Sequence, residues 1–533
     1  MKKIRIIALV LAVVLLLTGC SGLSFYDLWQ ELSTLQVTPF SEMQYTRPDV
    51  AKMETELEKC QSLAASESRV KPVVDQVWVV YNLYNNFHTN YSLASIFYYQ
   101  DLTNEKWEEE YNFCLQNASN VTAMLEEMFY TLADCPLRDK LEKDPSFGEG
   151  FFDNYEGESI WDETFLQLME QEAALEEKYY QICADAQQTE YYSDEYFERY
   201  GTQMADIFVE LVKIRQAIAS HAGYPDYPSF AYDFYHKRDY TPQQAETYLR
   251  AIGKELTPLY KTALNTEMNL KFSSQSQTFA YLEGCVQAMG GIASTAFTAM
   301  KDAGLYDITS SSKKYNGSFE VYLVDYTSPY IFVNPKGYET DKLTFSHEFG
   351  HFCSDFAAHG SYAGIDVAEI FSQGMEYLSL CYGPEAGKLT QWKMTDSLAV
   401  FVEQSAYALF EHQVYHLTGS ELTVENVQKL YTEIGTQFGF DSRHWDPRDY
   451  ALVSHFFIEP LYVVSYVTSN DAALQLYQME QAEKGSGLAL WEKNLATEEA
   501  FFLAFIESAG LKSPFAPDRV AEIRDTFTSA LSK

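Results

Sequence analysis

The chain has 533 residues, of which 47% are hydrophobic and 15% aromatic, and its formal net charge at pH 7 is −38. This composition can bury substantial cores, which excludes a disordered chain, and the length implies several domains or one large composite body. The negative charge disfavours nucleic acid and anionic lipid headgroups as partners, because like charges repel.

The first 19 residues have the pattern of a secretory signal peptide. A positively charged start precedes an apolar run from Ile6 to Leu17, which is short for a membrane span. The run ends in "LTGC", which resembles the lipobox of bacterial lipoproteins, in which the cysteine carries the lipid. We therefore predict a lipoprotein signal peptide over 1–19 and a lipid anchor at Cys20; an ordinary signal peptide or a short anchor helix is the alternative. No later segment is long and apolar enough to cross a bilayer.

Amphipathic segments with helical spacing dominate the rest of the chain. In residues 206–219, for example, apolar side chains recur on one helical face: Phe208, Leu211, Val212 and Ile218. Residues 223–230 form a turn cluster, and Thr241 followed by Pro242 predicts the start of another helix. The seven cysteines after Cys20 form no C-x-x-C pair, so we expect small buried side chains rather than a zinc–thiolate site or a disulfide framework.

Strand signals are concentrated in residues 318–334. Alternating β-branched and aromatic residues predict two short strands there, broken at Ser328-Pro329. A turn follows, in which Thr340 or Asp341 can cap the next helix.

That next helix contains "TFSHEFGHFC", residues 344–353, with the pattern H-E-x-x-H. On a helix, His347 and His351 are four residues apart and project about 40° from each other, so both imidazoles can reach a single zinc ion. A stripe of phenylalanines on the opposite face would anchor the helix in a core: Phe345, Phe349, Phe352 and Phe356. A pair of core histidines without metal is the alternative.

A zinc site needs a third protein ligand and an open position for water. The segment 366–380 supplies Glu369 and Glu376, seven residues apart on one helical face. From the residues alone, either carboxylate could complete the site, with the other exposed or hydrogen-bonded to a ligand. Glu348 is the expected general base. We therefore predict one zinc ion per chain.

A second histidine pair, His412 and His416, also has a four-residue spacing. Here Glu411 precedes the pair instead of following its first histidine, and no strand leads into the segment. We interpret this pair as a structural helix face.

The apolar stretch 455–466 carries a polar stripe. At helical spacing, His455, Glu459, Tyr462 and Tyr466 share one face, although a proline interrupts the run. His and Tyr donors could stabilise the oxyanion that forms when water attacks a peptide carbonyl. Ordinary hydrogen bonding of core tyrosines is the alternative.

Three of these stretches, in this order, resemble the oligoendopeptidase F and thimet oligopeptidase family of zinc metallopeptidases. They are residues 328–352, 367–378 and 455–474, within a resemblance that spans about 200–510, whereas residues 21–200 resemble the family only in being helical. The resemblance implies Glu369, rather than Glu376, as the third zinc ligand. It also implies that His455, Tyr466 and Tyr462 bind the substrate and steady the tetrahedral intermediate.

The family's fold is mainly α. The resemblance implies a two-lobed helical body around a deep substrate channel, with a small β-sheet next to the H-E-x-x-H helix. The expected organisation is the signal peptide, an N-terminal helical region over 20–200 and a catalytic zinc metallopeptidase domain over 201–533. We expect the strand at 330–334 to pair with an extended peptide.

The expected function is zinc-dependent hydrolysis of internal bonds in short unfolded peptides. The chain would act outside the cytoplasm as a monomer, attached to a bacterial membrane through the lipid at Cys20 alone. One alternative is a related helical zinc carboxypeptidase that removes C-terminal residues. Another is an inactive peptide-binding surface lipoprotein, against which the intact Glu348 argues.

Overall fold

A computed structural model describes residues 37–531, except for 158, 187–192, 265–269, 361–362, 384–385 and 498. The predicted signal peptide and Cys20 lie outside this part of the chain. Helices dominate the described residues, as expected. No helix among them is long and apolar enough to cross a membrane.

The helices before the sheet are α1 (Val50–Ser66), α2 (Val70–Gln100), α3 (Glu105–Ala133), α4 (Arg138–Leu141), α5 (Glu163–Ala186), α6 (Asp194–Tyr196), α7 (Thr202–His221), α8 (Tyr227–Phe234), α9 (Pro242–Leu264), α10 (Gln275–Met289) and α11 (Gly291–Ala303). Those after it are α12 (Asp341–Ala358), α13 (Ile365–Tyr382), α14 (Ala386–Val414), α15 (Val424–Gln437), α16 (Ser454–Ile458), α17 (Val463–Ala482), α18 (Ser486–Asn494), α19 (Phe502–Ser508) and α20 (Arg519–Leu531).

Local sequence signals account for many of these helices. The predicted segment 206–219 lies within α7, and its four apolar side chains are buried. At the start of α9, Gln244 N donates to Thr241 Oγ1 (3.2 Å) and Thr241 N donates to Gln244 Oε1 (2.9 Å), which forms a capping box. The predicted cap of α12 is wrong: Thr340 makes no side-chain cap bond, and Asp341 accepts instead from the backbone of the preceding turn.

Three strands form one sheet: β1 (Tyr306–Asp307), β2 (Ser318–Leu323) and β3 (Ser328–Val333), in the order β1-β3-β2. β3 pairs in parallel with β1 and antiparallel with β2. The predicted break at Ser328-Pro329 is wrong, because these residues begin β3 and the break lies at 324–327. Proline is tolerated there because β1 pairs only with Ile331 and Phe332, so no β1 residue needs the missing N–H.

The central position of β3 also corrects the expected peptide contact. The predicted peptide contact was with residues 330–334, but β2 pairs with β3 along its whole length on one side and β1 pairs with Ile331 and Phe332 on the other, so a peptide cannot pair along this strand. The six-residue strand β2 is at an edge of the sheet.

Two main hydrophobic cores hold the described helices together. One joins α1, α2, α3 and α4, and the larger one extends from α5 to α20 and includes part of α2 together with β2 and β3. α12 packs against β2, β3 and α13. The phenylalanine stripe of α12 is buried in the larger core, as predicted. The seven cysteines after Cys20 are free thiols, four of them buried.

Candidate metal centre

The predicted metal ligands meet where α12 and α13 pack side by side. His347, His351 and Glu369 each offer one ligand atom, and these atoms lie within 4.8 Å of one another. The Nε2 atoms of His347 and His351 are 3.4 and 3.7 Å from the Glu369 carboxylate oxygens. Ligands about 2.0–2.1 Å from a tetrahedral zinc ion are about 3.3 Å apart, so this donor set fits zinc. Among the described residues no other group of three His, Cys, Asp or Glu side chains has this arrangement.

Glu376 contacts the same cluster from the other side of a histidine ring. Its Oε1 is 2.9 Å from His347 Nδ1, and its Oε2 is 2.7 Å from Lys393 Nζ. Lys393 is buried. The residues alone left open which of the two glutamates would complete the metal site. In the structure, Glu369 faces the Nε2 atoms of both histidines, and Glu376 orients the His347 ring through Nδ1.

The cluster is a tightly paired set of opposite charges. Burial acts to lower the pKa of His347, but Glu369, Glu376 and Glu348 outweigh it and raise that pKa to about 9. Burial acts to raise the pKa of Glu369, but His347 and His351 outweigh it and bring that pKa to about 2. Because a metal ion binds neutral imidazole, it would replace the His347 proton as the positive charge beside Glu369.

Glu348 lies on α12 next to His347 and is 5% exposed. Burial raises the pKa of its carboxyl group, against the attraction of His347 and His351. Ser318, the first residue of β2, also interacts with Glu348 and acts to lower that pKa. The edge strand of the sheet therefore begins beside the candidate general base.

The stretch 455–466 does not form the continuous helix assumed for the polar stripe. α16 ends at Ile458, α17 begins at Val463, and Glu459 between them has 53% of its side chain exposed, with its Oε2 3.8 Å from His455 Nε2. The turn nevertheless gathers three predicted side chains into one cluster. His455 Nε2 is 3.0 Å from the Tyr466 hydroxyl oxygen, and the Tyr462 ring centroid lies 5.0 Å from that of His455.

Tyr462 connects this aromatic cluster to the metal ligands. Its hydroxyl donates to Glu369 Oε1 at 2.5 Å. Burial and then the charge of Glu369 hold the pKa values of Tyr462 and Tyr466 well above their ordinary range, so both hydroxyls keep their protons. Burial lowers the pKa of His455, which favours a neutral imidazole. The site thus has three neutral side chains beside a charged ligand set.

The second histidine pair does not form a site. His412 is buried, with Nε2 2.8 Å from the Tyr232 hydroxyl oxygen, whereas His416 is exposed. This agrees with the structural interpretation.

Sequence reasoning did not single out several side chains that shape the site. Lys393 and Ser318 come from α14 and β2, and their spacing from the histidines carries no signal. Gly350, inside the H-E-x-x-H motif, permits close contact between α12 and α13. A glycine between the two ligand histidines is the sequence signal that indicates this close helix contact.

The chain is similar to known peptidases in its N-terminal region and in its fold. Residues 40–159 match the family model described as the Peptidase M3 N-terminal domain, where the sequence alone suggested only helical character. No curated protein matches the chain.

Solved structures extend the likeness to nearly the whole chain. A structure described as an oligoendopeptidase F is 19% identical, with a TM-score of 0.81 over 93% of this chain and 99% of its own. Pz peptidase A with an inhibitor is 17% identical, with a TM-score of 0.80 over 92% and 99%. A Bacillus anthracis structure described as an oligoendopeptidase F is 17% identical, with a TM-score of 0.78 over 93% of this chain and 99% of its own. The chain therefore has the mainly helical M3 peptidase fold with its small sheet.

Proposed function

We propose that this chain is a zinc-dependent oligoendopeptidase that cleaves internal bonds of short unfolded peptides. One observation carries the proposal: α12 and α13 present three ligand atoms within 4.8 Å of one another, directly beside Glu348. The match to the Peptidase M3 N-terminal domain and the shared fold support it.

The residues His347, His351 and Glu369 would hold the metal. When bound, zinc supplies Lewis acidity, which makes water more acidic and polarises a carbonyl group. Glu376 holds the His347 ring through Nδ1, and Tyr462 holds the Glu369 carboxylate through Oε1. Each of these contacts limits the rotation of a ligand side chain.

Glu348 and the aromatic cluster would divide the proton transfer and the stabilisation of charge. Glu348 accepts the proton of the attacking water and passes it to the nitrogen of the leaving amine. The peptide carbonyl oxygen becomes negatively charged as the water oxygen attacks its carbon. His455 and Tyr466 are suited to donate hydrogen bonds to this oxygen, because one is a neutral imidazole and the other a protonated phenol.

The substrate backbone would pair with β2. This strand is at an edge of the sheet, and Ser318 at its start interacts with Glu348. A peptide extended along β2 would pass directly by the general base. An unfolded peptide can adopt this extended conformation without first breaking its own structure, which supports unfolded peptides as substrates.

We also propose that the chain works outside the cytoplasm as a monomer, attached to a bacterial membrane through a lipid on Cys20. The "LTGC" sequence after an apolar run is the support. Replacing Cys20 with Ser would move the protein from the membrane fraction to the soluble fraction. Mass spectrometry of the mature N-terminus would show whether a diacylglyceryl group is present.

The enzymatic test uses protein produced without residues 1–20, loaded with zinc and mixed with internally quenched peptides of graded length. Mass spectrometry of the products locates each cut, and Glu348→Gln is the paired control. Internal cuts that vanish in the control and decline with longer substrates are expected. Stepwise loss of C-terminal residues would indicate the carboxypeptidase instead. Zinc binding without any cleavage would indicate a binding lipoprotein.

A further inference from the structure

The turn between α16 and α17 contains a strained residue. Leu461 has a φ angle of +63°, in the left-handed region that residues with a Cβ rarely adopt. Its side chain is 1% exposed, and it directly precedes Tyr462. Such a conformation persists only where the surrounding structure imposes it, and it is a reason to look for a function.

Three side chains from separate parts of the fold impose this turn, and two of them, Glu411 and Arg215, are buried. Glu411 on α14 accepts the N–H of Leu461 through Oε1 at 2.7 Å. His236, just after α8, lies with Nε2 2.9 Å from the carbonyl oxygen of Pro460. Arg215 on α7 donates to the carbonyl oxygens of residues 456 and 457 at the end of α16.

Of these three side chains, Glu411 acts on the strained residue itself. If Leu461 relaxed to the common right-handed region, its φ angle would change by roughly 130°. The chain direction at Tyr462 would change with it, and the Tyr462 hydroxyl would leave Glu369. The hydrogen bond from Leu461 N to Glu411 opposes that rotation because it holds the N–H in place.

We propose that Glu411 is a positioning residue for the metal centre. It keeps Leu461 in the left-handed conformation, and that conformation keeps the Tyr462 hydroxyl on the ligand Glu369. Glu411 acts through the backbone and not on reacting atoms, so it is not a catalytic residue. The inference rests on the proposed function only in that His347, His351 and Glu369 bind a metal ion.

The burial of Glu411 argues against a purely stabilising role. The side chain is 2% exposed, and its Oε2 has no hydrogen-bond partner within the described part of the chain. Burying a carboxyl group with one unpaired oxygen is costly, and the hydrogen bond that Glu411 makes in the described part of the chain is to the Leu461 N–H, so its contribution lies at this turn. Burial raises the pKa of Glu411 to about 8, against the charges of Arg215 and Arg238. The neutral amide of glutamine is therefore a close substitute.

The test is a double-mutant cycle with zinc affinity as its first readout. Glu411→Leu, Tyr462→Phe and the double variant are prepared in protein that lacks only residues 1–20, and each is titrated with zinc against a competing chelator. We expect each single variant to weaken binding about 10-fold, and the double variant to be no weaker than Tyr462→Phe. Glu411→Gln should bind zinc within about 2-fold of the wild type, since its amide oxygen can accept the same N–H.

A matched control comes from the same helix. Glu403 lies on α14 away from the turn and accepts a hydrogen bond from the hydroxyl of Tyr260 on α9. Glu403→Leu should therefore leave zinc affinity unchanged. Thermal unfolding confirms that each variant is folded; if Glu411→Leu does not accumulate, Glu411→Met, whose thioether is only a weak acceptor, replaces it. Additive effects in the double variant, or unchanged affinity in the variant without an acceptor, would overturn the proposal.

A second readout separates this proposal from the enzymatic one. Peptide cleavage is measured on the same set of proteins. If the Glu411 and Tyr462 variants lose zinc affinity non-additively but neither they nor the wild type cleave peptides, the positioning role is supported and the peptidase function is rejected. Cleavage by the wild type with independent effects of Glu411 and Tyr462 would do the reverse.

Discussion

Gly350 on α12 lies against the backbone of Phe371 on α13. A Cβ atom at Gly350 would sit 2.4 Å from the Phe371 carbonyl oxygen, far inside van der Waals contact. Trp491 Nε1 donates to the same oxygen at 3.0 Å, which fixes that carbonyl from another side. Because Gly350 precedes His351 by one residue and Phe371 follows Glu369 by two, this contact sets the distance between ligands on different helices.

Gly350→Ala should therefore separate α12 from α13. We expect the free energy of unfolding to fall by about 1–3 kcal/mol and zinc affinity to fall with it, because the added methyl group has no space. Thermal unfolding and chelator competition measure the two effects. Gly284→Ala on α10 is the matched control, since its Cβ would meet no described atom within 4 Å, and it should be neutral or slightly stabilising. Equal behaviour of the two variants would contradict the role of the Gly350 contact.

Removal of the metal should destabilise the folded protein, because zinc bound to His347, His351 and Glu369 stabilises the folded state. Saturating zinc should raise the melting temperature of the metal-free protein, by an amount equivalent to about 2.7 kcal/mol at 100 times Kd. His351→Ala should lose this response, because two remaining ligands hold zinc weakly. His416→Ala, at an exposed position, should respond like the wild type. A zinc response that survives in His351→Ala would place the metal elsewhere.

The contact of Glu376 with His347 predicts a separate loss of metal affinity. Glu376→Ala frees the His347 ring and leaves the buried Lys393 with the Asp396 carboxylate, 3.4 Å away, as its ion-pair partner, so zinc affinity should fall about 10- to 100-fold. Lys393→Met should weaken binding less, because Glu376 still reaches His347 Nδ1. Glu433→Ala, on the exposed face of α15, is the control. Competition with a chelator gives all three affinities, and an unchanged value for Glu376→Ala would exclude this role.

Stability should depend on pH through Glu492. Its Oε1 accepts the N–H of Ile292 at 3.1 Å in the first turn of α11, and burial raises its pKa from 4.5 to about 6. The folded state therefore holds its proton to higher pH than the unfolded state does. The free energy of unfolding should fall by about 1–2 kcal/mol as the pH rises from below 4.5 to above 6.

Glu492→Gln removes this titration and keeps an acceptor for Ile292. Its melting temperature, measured relative to the wild type, should be higher at pH 7.5 than at pH 4.5. Glu507→Gln, at an exposed position on α19, should show no such difference. The same pH dependence in wild type and Glu492→Gln would show that other groups are responsible.

Patterns that act over a few residues were readable from the sequence. The spacing of His347 and His351, and the phenylalanine stripe behind them, follow from the helical repeat, which each stretch of chain carries by itself. The strand signals of 318–334 were also local, and they placed a sheet directly before α12. Even here the break at Ser328-Pro329 was wrong, because whether a proline suits a strand depends on which partner strand lies beside it.

The sequence by itself determined the mainly helical fold, the two histidines on one face of α12 and Glu348 between them. Only the tertiary structure decided that Glu376 orients His347, that Tyr462 donates to Glu369 and that β3 is the central strand. These relationships join residues far apart in the chain. Their geometry depends on how whole helices and strands pack, which no periodicity within a single segment records.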